Sequence, residues 1–193
     1  MGFAHDTIAA LVLAADLVNA GELTDLGALE VFLDKHQVDP RPRAAQADLD
    51  AVRALRPRLR AVWQATTDEH LAELVNELLR ASGARPWLTD HGGGWGWHLH
   101  VTDQEATLEH RIAAQAAFAF ADLVRMREAD RLRLCGAPDC DAVLVDLSKN
   151  RSRLYCDTGN CGNRQHVAAY RERRAGRDTD RTGLSPSGRP CLR

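Results

Sequence analysis

The sequence of 193 residues has no long hydrophobic run. Its longest early apolar stretch, Ile8–Val18, has eleven residues, contains Asp16 and follows no basic segment. A membrane span needs about 20 apolar residues and a secretory leader begins with basic residues, so we expect neither. Asp6 stands where an N-myristoylation signal needs serine or threonine. These absences predict a cytoplasmic protein with no membrane partner.

The sequence also lacks a defensible nucleophile and base. The segment His91–Gly94 looks superficially like the glycine loop that forms the oxyanion hole of some esterases. That chemistry needs a nucleophilic serine in a G-x-S-x-G elbow, and the nearest segment, Gly183–Ser187, lacks the last glycine. We therefore predict no catalytic residues and no enzyme activity, unless a zinc ion with an open coordination position is present.

Cysteine is scarce, and four of the five cysteines form one pattern near the C-terminus. Cys135-x4-Cys140 is followed after fifteen residues by Cys156-x4-Cys161, so each short loop can offer two thiolates to one metal ion. Four thiolates in a tetrahedron are a common structural zinc site. The alternatives are two disulfides, which need an oxidising compartment, an iron–sulfur cluster, which usually has a tighter C-x2-C run, or unrelated buried cysteines. The pattern favours one structural zinc ion, with Cys191 as a free thiol.

Residues around these cysteines carry a family resemblance. They include the Asp-x-Ser pair Asp146 and Ser148, Tyr155 before the third cysteine, and Cys161–Arg164 at the start of a basic helix. In these features the segment resembles the CGNR zinc finger. The preceding residues, with an apolar helix ending at Asp16–Asn19 and an alanine-rich helix before the cysteines, resemble the ABATE domain that usually precedes this finger. The resemblance implies a DNA-binding, stress-related transcription regulator.

The predicted architecture has three parts. We expect a helical ABATE-like domain over residues 1–130, a CGNR-type zinc finger over 131–175 and a disordered tail over 176–193, where glycine, proline, serine and charge follow no apolar period. The fold class is α+β and mainly helical: a helical N-terminal body with a β-hairpin and a C-terminal four-cysteine zinc module.

Apolar periodicity predicts the individual elements. Four helices fill the first eighty residues; Thr66-x-x-Glu69 forms a capping box for the fourth, and Pro57 should kink or break the third. The later elements are a hairpin over Pro86–Val101, a long helix over Asp103–Ala129, a strand over Val143–Leu147 and a last helix over Gly162–Arg174. The long helix should pack between the helical body and the hairpin.

Charge is distributed unevenly along the chain. Residues 1–130 contain 12 Lys and Arg against 20 Asp and Glu, whereas residues 131–177 contain 10 against 5. A zinc ion with four thiolates adds a formal −2, which leaves about +3 on the zinc module. A phosphate backbone would attract this module and repel the acidic body.

The basic residues of the zinc module are the candidate DNA contacts. Arg164, Arg171 and Arg174 fall on one helical stripe, and a second group lies on the loop that enters Cys156. Arginines can hold phosphates or guanine, and asparagines can read base edges. The candidate nucleic-acid-binding residues are Lys149, Asn150, Arg151, Arg153, Asn163, Arg164, Arg171 and Arg174.

Other interpretations of this surface stay open. The basic helix can pair with the acidic body or dock an acidic protein partner, in which case the zinc only holds the fold. Some arginines can instead offset the charge of the thiolates. We expect sequence-specific DNA binding in transcription control, with the N-terminal domain sensing a signal or mediating assembly. The sequence leaves the operator and the oligomeric state open.

The predicted hairpin contains tryptophans and histidines, and the role of each group has two interpretations. Aromatic side chains pack in cores by default, and a pocket for a small-molecule effector is the alternative for Trp87, Trp95 and Trp97. Histidines on one strand face are usually exposed polar residues, and a second metal site is the alternative for His91, His98 and His100.

Overall fold

The computed structural model describes residues 3–21, 23–38, 43–90, 96–103 and 105–182, with side chains up to residue 174. It confirms a mainly helical α+β fold with the four cysteines gathered near the C-terminus. No helix in these ranges is long and apolar enough to cross a bilayer. The elements are α1 (His5–Asn19), α2 (Leu26–Lys35), α3 (Gln46–Gln64), α4 (Asp68–Ala81), β1 (Trp87–Thr89), β2 (His98–His100), α5 (Leu108–Arg125), a 3₁₀ turn (Ala129–Arg131), β3 (Leu132–Leu134), β4 (Val143–Val145) and α6 (Cys161–Thr182).

Helix α5 is the centre of the helical body. It packs against α1, α3 and α4. Its alanines, among them Ala113, Ala116 and Ala117, are at most 1% exposed and let the neighbouring helices approach closely. Phe120 is fully buried, and its ring lies perpendicular to the ring of Trp63 with the ring centroids 5.2 Å apart. The core of the body therefore forms around one alanine-rich helix.

Helix α3 stays continuous through Pro57, so the predicted break does not occur. A proline inside a helix removes one hydrogen bond and costs about 3 kcal/mol. Pro57 faces solvent, whereas Val52 and Leu59 on the other face are fully buried. Water can satisfy the freed carbonyl, and burial of the apolar face outweighs the cost.

Several element boundaries differ from the predictions. Thr67, not Thr66, caps α4 by accepting a hydrogen bond from the His70 amide at 3.2 Å. Thr107 caps α5, which is shorter at both ends than the predicted helix. The chain after α5 instead forms the 3₁₀ turn and β3. Strand β3 has only three residues, which is too short to show an alternating pattern in the sequence.

The hairpin β1–β2 lies on the surface. Its strands are antiparallel, with Trp87 opposite His100 and Thr89 opposite His98. Trp87 is 40% exposed and Trp97 is 74% exposed, so the expectation that these tryptophans pack in the core is wrong. Among the described residues the hairpin has no extensive contact with α5, which therefore does not lie between the body and the hairpin. The predicted members Trp95 and His91 lie outside the described ranges.

The strands β3 and β4 attach the zinc module to the body. They pair antiparallel, with Leu132 opposite Val145 and Leu134 opposite Val143. Val143 and Val145 are at most 5% exposed and belong to the same apolar core as the helices. The sheet of the zinc module is thus one wall of the body's core.

Polar side chains of the body also hold β4. The Asn19 side-chain amide pairs with the backbone of Val143 in both directions: its N–H group donates to the carbonyl at 2.7 Å, and its oxygen accepts from the Val143 amide at 2.8 Å. The indole N–H of Trp63 donates to the Leu144 carbonyl at 2.9 Å. These bonds give the zinc module a fixed place on the body.

Helix α6 extends further than predicted. It continues to Thr182, past the predicted end at Arg174 and into the segment 176–193 that was expected to be a disordered tail. Its many helix-forming residues extend it through Gly176, which costs only about 1 kcal/mol in a helix. Residues 183–193, including Cys191, lie outside the described ranges. No other described element packs extensively along α6.

Candidate metal centre

The four cysteine sulfurs converge on one point. The sulfurs of Cys140 and Cys156 are 3.7 Å apart, as are those of Cys156 and Cys161, and all four lie within 4.8 Å of one another. Zinc–sulfur bonds of about 2.3 Å place the corners of a tetrahedron about 3.8 Å apart. Cys135 belongs to the same cluster and is buried, as are Cys156 and Cys161. The cluster fits a zinc ion with four thiolate ligands.

Backbone groups of the second cysteine loop support the sulfurs. The Cys156 amide donates to the Cys135 sulfur at 3.4 Å. Burial opposes ionisation of Cys156, but the Gly159 amide and the neighbouring thiols outweigh it and lower the pKa of Cys156 to about 7. A Cβ atom at Gly159 would lie 3.1 Å from the Cys161 sulfur, so this close approach favours glycine. Asn160 takes the left-handed conformation with φ of 51° before α6 begins.

Arg164 belongs to the metal centre. Its guanidinium donates to the Cys161 sulfur at 3.3 Å and to the Asp139 carboxylate at 2.6 Å. The sulfur and the carboxylate both raise the pKa of Arg164. A positive group beside a zinc thiolate offsets its negative charge. Arg164, which the sequence predicts as a DNA contact, therefore contacts the metal ligand Cys161 instead of pointing freely into solvent.

An aromatic ring covers one side of the cluster. The ring of Tyr155 would meet a Cβ atom at Gly136 at 3.7 Å and one at Gly162 at 3.6 Å. Gly136 also lies close to the backbone, because its Cβ atom would be 3.2 Å from the Leu154 carbonyl oxygen. The tyrosine before the third cysteine therefore packs between two glycines that each follow a ligand.

A buried carboxylate shapes the loop between β4 and the third cysteine. Asp146 is fully buried and accepts from the Ser148 hydroxyl at 2.6 Å and from the amides of Ser148 and Arg153 at 3.0 and 2.9 Å. The guanidinium of Arg133 lies 3.2 Å away. Burial opposes ionisation of the Asp146 carboxyl, but its hydrogen-bond partners and Arg133 hold the pKa of Asp146 below its ordinary value. The Asp-x-Ser pair thus organises the basic loop.

The basic loop turns two of its arginines toward acidic partners. Arg151 contacts the carboxylates of Glu128 and Asp130 at 2.8 Å each, so its positive charge faces the body. Arg153 pairs with Asp157. Both predicted DNA contacts therefore have acidic partners, which leaves less of their positive charge for a phosphate backbone. Lys149 and Asn150 are exposed at the tip of the loop.

The remaining predicted contacts lie on α6. Asn163 is exposed and donates to the side-chain oxygen of Asn160 at 2.7 Å. Arg171 and Arg174 are exposed, and neither pairs with an acidic group among the described side chains. The sequence interpretation missed two apolar side chains on the same helix, Val167 and Tyr170, which are 48% and 59% exposed. Their spacing of three residues was the available signal.

The hairpin histidines do not form a second metal cluster in the described part of the chain. His98 and His100 have ring centroids 5.3 Å apart and no third ligand side chain at metal-binding distance. Trp87 lies against His100, with centroids 4.9 Å apart, rather than against α5. The expected third histidine, His91, lies outside the described ranges.

The fold and the cysteine cluster define a zinc-finger protein whose finger is attached to a helical body. Residues 131–174 match the CGNR zinc finger, and residues 11–127 match ABATE, described as "Putative stress-induced transcription regulator". The second match covers more than half of the chain, which therefore belongs to the ABATE family. The finger match and the cluster together identify a site for one structural zinc ion. No curated protein matches the chain.

Proposed function

We propose that this protein is a zinc-dependent transcription regulator that binds double-stranded DNA through α6. One observation carries the proposal: a 22-residue helix begins at the metal ligand Cys161, and its arginines Arg171 and Arg174 are exposed, with no acidic partner among the side chains described up to residue 174. A helix of this length spans about 33 Å. The major groove is about 12 Å wide and admits an α-helix.

Zinc would supply the orientation of this helix. The ion ties Cys161 to the Cys135–Cys140 loop, which continues directly from β3. Because β3 and β4 are anchored in the core of the body, α6 has a fixed base. Four thiolates fill the four positions of tetrahedral zinc, so we propose a structural ion and no enzymatic reaction.

The charge distribution favours selective rather than indiscriminate binding. The basic residues are concentrated in the zinc module, and the body carries the acidic excess. Exposed Lys149 and Asn150 can add phosphate contacts at the loop. We propose that the body senses a stress-related signal or mediates assembly in the cytoplasm, in line with the description of its family.

A salt titration of DNA binding tests the proposal. Wild-type protein should bind a duplex with an affinity that falls as salt rises, because bound phosphates release counterions. Arg171→Ala and Arg174→Ala should each reduce the slope of log K against log salt by about one if the side chain contacts a phosphate. Arg80→Ala, an exposed arginine on α4, is the matched control and should leave the slope unchanged.

The contrary result is equally specific. If zinc-loaded protein ignores duplex DNA at low salt, the proposal fails, and the zinc module is better described as a surface that docks an acidic protein partner. If the protein binds but neither arginine variant changes the slope, another surface than α6 contacts the DNA.

A further inference from the structure

We infer that a stripe of uncharged side chains along α6, made of Asn163, Val167 and Tyr170, reads base edges in the major groove. This inference rests on the proposed DNA binding and adds which side chains determine specificity. The candidate contacts predicted from the sequence include Asn163 but omit Val167 and Tyr170. We call Asn163, Val167 and Tyr170 the reading stripe.

Helix geometry places the reading stripe on one face. The three residues follow one another at steps of four and three, which keep side chains on the same side of a helix, and Arg174 continues the row four residues later. At about 100° per residue, Arg171 and Arg173 lie roughly a quarter-turn to either side of the stripe. Both flanking arginines are exposed.

The stripe points away from the zinc module. At the start of α6 the opposite face carries Cys161, which is fully buried, and Gln165, which is half-buried; further along, Ala168 and Glu172 on that face are exposed. Val167 and Tyr170 are 48% and 59% exposed. Exposed apolar groups on a strongly charged helix are a feature of binding surfaces when they cluster, and here two lie one turn apart.

The flanking charges identify the occupant as duplex DNA rather than a second copy of the helix. Two copies of α6 packed through the stripe would bring Arg171, Arg173 and Arg174 of each copy together, and like charges at close range repel. In a major groove the flanking Arg171 and Arg173 would face the phosphates on the two walls. The uncharged centre would face the base edges.

The side-chain chemistry indicates which bases the stripe prefers. An asparagine amide pairs with adenine N6 and N7, and apolar side chains contact the thymine methyl group. The Asn163 side chain keeps its oxygen and a second N–H hydrogen beyond its bond to Asn160. We therefore expect the preferred site to contain A·T pairs where Val167 and Tyr170 meet the groove.

Selection of duplexes from a random pool by the full-length, zinc-loaded protein tests the inference. Wild type should enrich a site with A·T pairs. Val167→Ala and Tyr170→Ala should each lower the preference at one or two adjacent base pairs by about tenfold, within the range for loss of a specific base contact, while leaving non-specific affinity and the salt slope unchanged. Val31→Ala on α2, where the valine is 70% exposed, is the matched control and should keep the wild-type preference.

Removal of one methyl group from the DNA distinguishes base reading by Val167 or Tyr170 from a purely structural role of these side chains. Replacing the contacted thymine by uracil removes only the 5-methyl group. This replacement should weaken binding by wild type several-fold and should add no further loss to the variant whose side chain contacts that methyl. Zinc content and helical circular dichroism should match wild type for every variant compared.

Two outcomes would overturn the inference. If Arg171→Ala lowers the salt slope but Val167→Ala and Tyr170→Ala keep the wild-type preference and its sensitivity to uracil, α6 binds DNA without reading bases through this stripe. If Tyr170→Ala abolishes self-association and leaves preference unchanged, the stripe contacts a second copy. Absence of any duplex binding by wild type at low salt instead removes the proposed function itself.

Discussion

The helical body and the zinc module are stabilised by different interactions. The body buries large apolar side chains completely, among them Leu11, Leu29, Ile112 and Phe120. Beyond β3 and β4, the buried side chains of the module are cysteines and small residues such as Ala137. Apolar burial therefore holds one region, and a metal ion and a buried carboxylate hold the other. This division leaves the surface of α6 free to carry charge and exposed apolar groups.

The two regions nevertheless share one joint. Val143 and Val145 belong to the core of the body, and Asn19 and Trp63 bind the backbone of β4. A fragment that starts at residue 131 would lose these contacts and expose the buried face of its only sheet. We therefore expect the module to fold on the body rather than alone.

The largest effect should come from removing a metal ligand. Cys156→Ser should reduce the zinc content from one per chain to below about 0.1, because zinc binding supplies of the order of 10 kcal/mol to a structural site. Metal analysis by mass spectrometry gives the ratio. The body should keep its cooperative unfolding, because its core does not include the ligands.

The matched control for this variant is Cys191→Ser, a cysteine outside the four-residue pattern. It should retain one zinc ion. Full zinc content in Cys156→Ser would contradict the assignment of the four ligands.

The next effect concerns the core of the body. Phe120→Ala should lower the free energy of unfolding by about 3–5 kcal/mol, because the ring is fully buried against Trp63. Val31→Ala, at an exposed position, should change it by no more than about 0.5 kcal/mol. Urea denaturation followed by circular dichroism measures both. A similar small change in the two variants would place Phe120 outside the core.

A smaller effect is expected at the joint. Asn19→Ala leaves the N–H and carbonyl groups of Val143 without their side-chain partners, which should cost about 1–3 kcal/mol for each buried group that stays unpaired. Asn76→Ala on the exposed side of α4 is the control. Equal unfolding midpoints for the two variants would show that the stability of β4 does not depend on the two hydrogen bonds from Asn19.

The smallest effect is a pH dependence of the free energy of unfolding, which comes from the contact of Asp16 in α1 with residues at the end of α2. The imidazole of His36, with Nε2 3.2 Å from the carboxylate, and, against the effect of burial, the Lys35 ammonium hold the pKa of Asp16 below its ordinary value. A depressed carboxyl pKa contributes stability that is complete above the unfolded-state pKa and is lost as the pH falls through the folded-state pKa. Asp16→Asn should therefore be less stable than wild type at neutral pH.

The difference between these two proteins should shrink as the solution is acidified below the ordinary pKa of aspartate, about 3.9. Because both proteins lose zinc in acid alike, the difference isolates Asp16. Asp34→Asn, at an exposed position, should show a smaller difference at neutral pH. A difference between Asp16→Asn and wild type that is constant from neutral to acidic pH would contradict the ion pair.

The sequence predicted the metal centre better than its surroundings. Cysteine spacing depends on chemistry that only a few residue types supply, so Cys135, Cys140, Cys156 and Cys161 were identified directly. Apolar periodicity predicted the existence of the helices. Their ends depend on single hydrogen bonds, which is why Thr67 rather than Thr66 caps α4.

Tertiary context decided what the sequence could not. Arg151 and Arg164 resemble the other arginines in sequence, and only the fold brings Asp130 and Asp139 to them. The bond between Asn19 and Val143 joins residues more than a hundred positions apart. The exposure of Val167 and Tyr170 depends on how α6 leaves the zinc module, which their apolar character in the sequence does not indicate.

The most direct test of the central claim measures DNA binding while zinc is removed and returned. A fluorescent duplex at low salt reports binding by anisotropy, and circular dichroism reports the body in the same sample. Removal of zinc by a chelator should abolish the anisotropy change while most helical signal remains, and added zinc should restore binding. Binding that persists unchanged in zinc-free protein would contradict the claim that the metal positions α6 on the DNA.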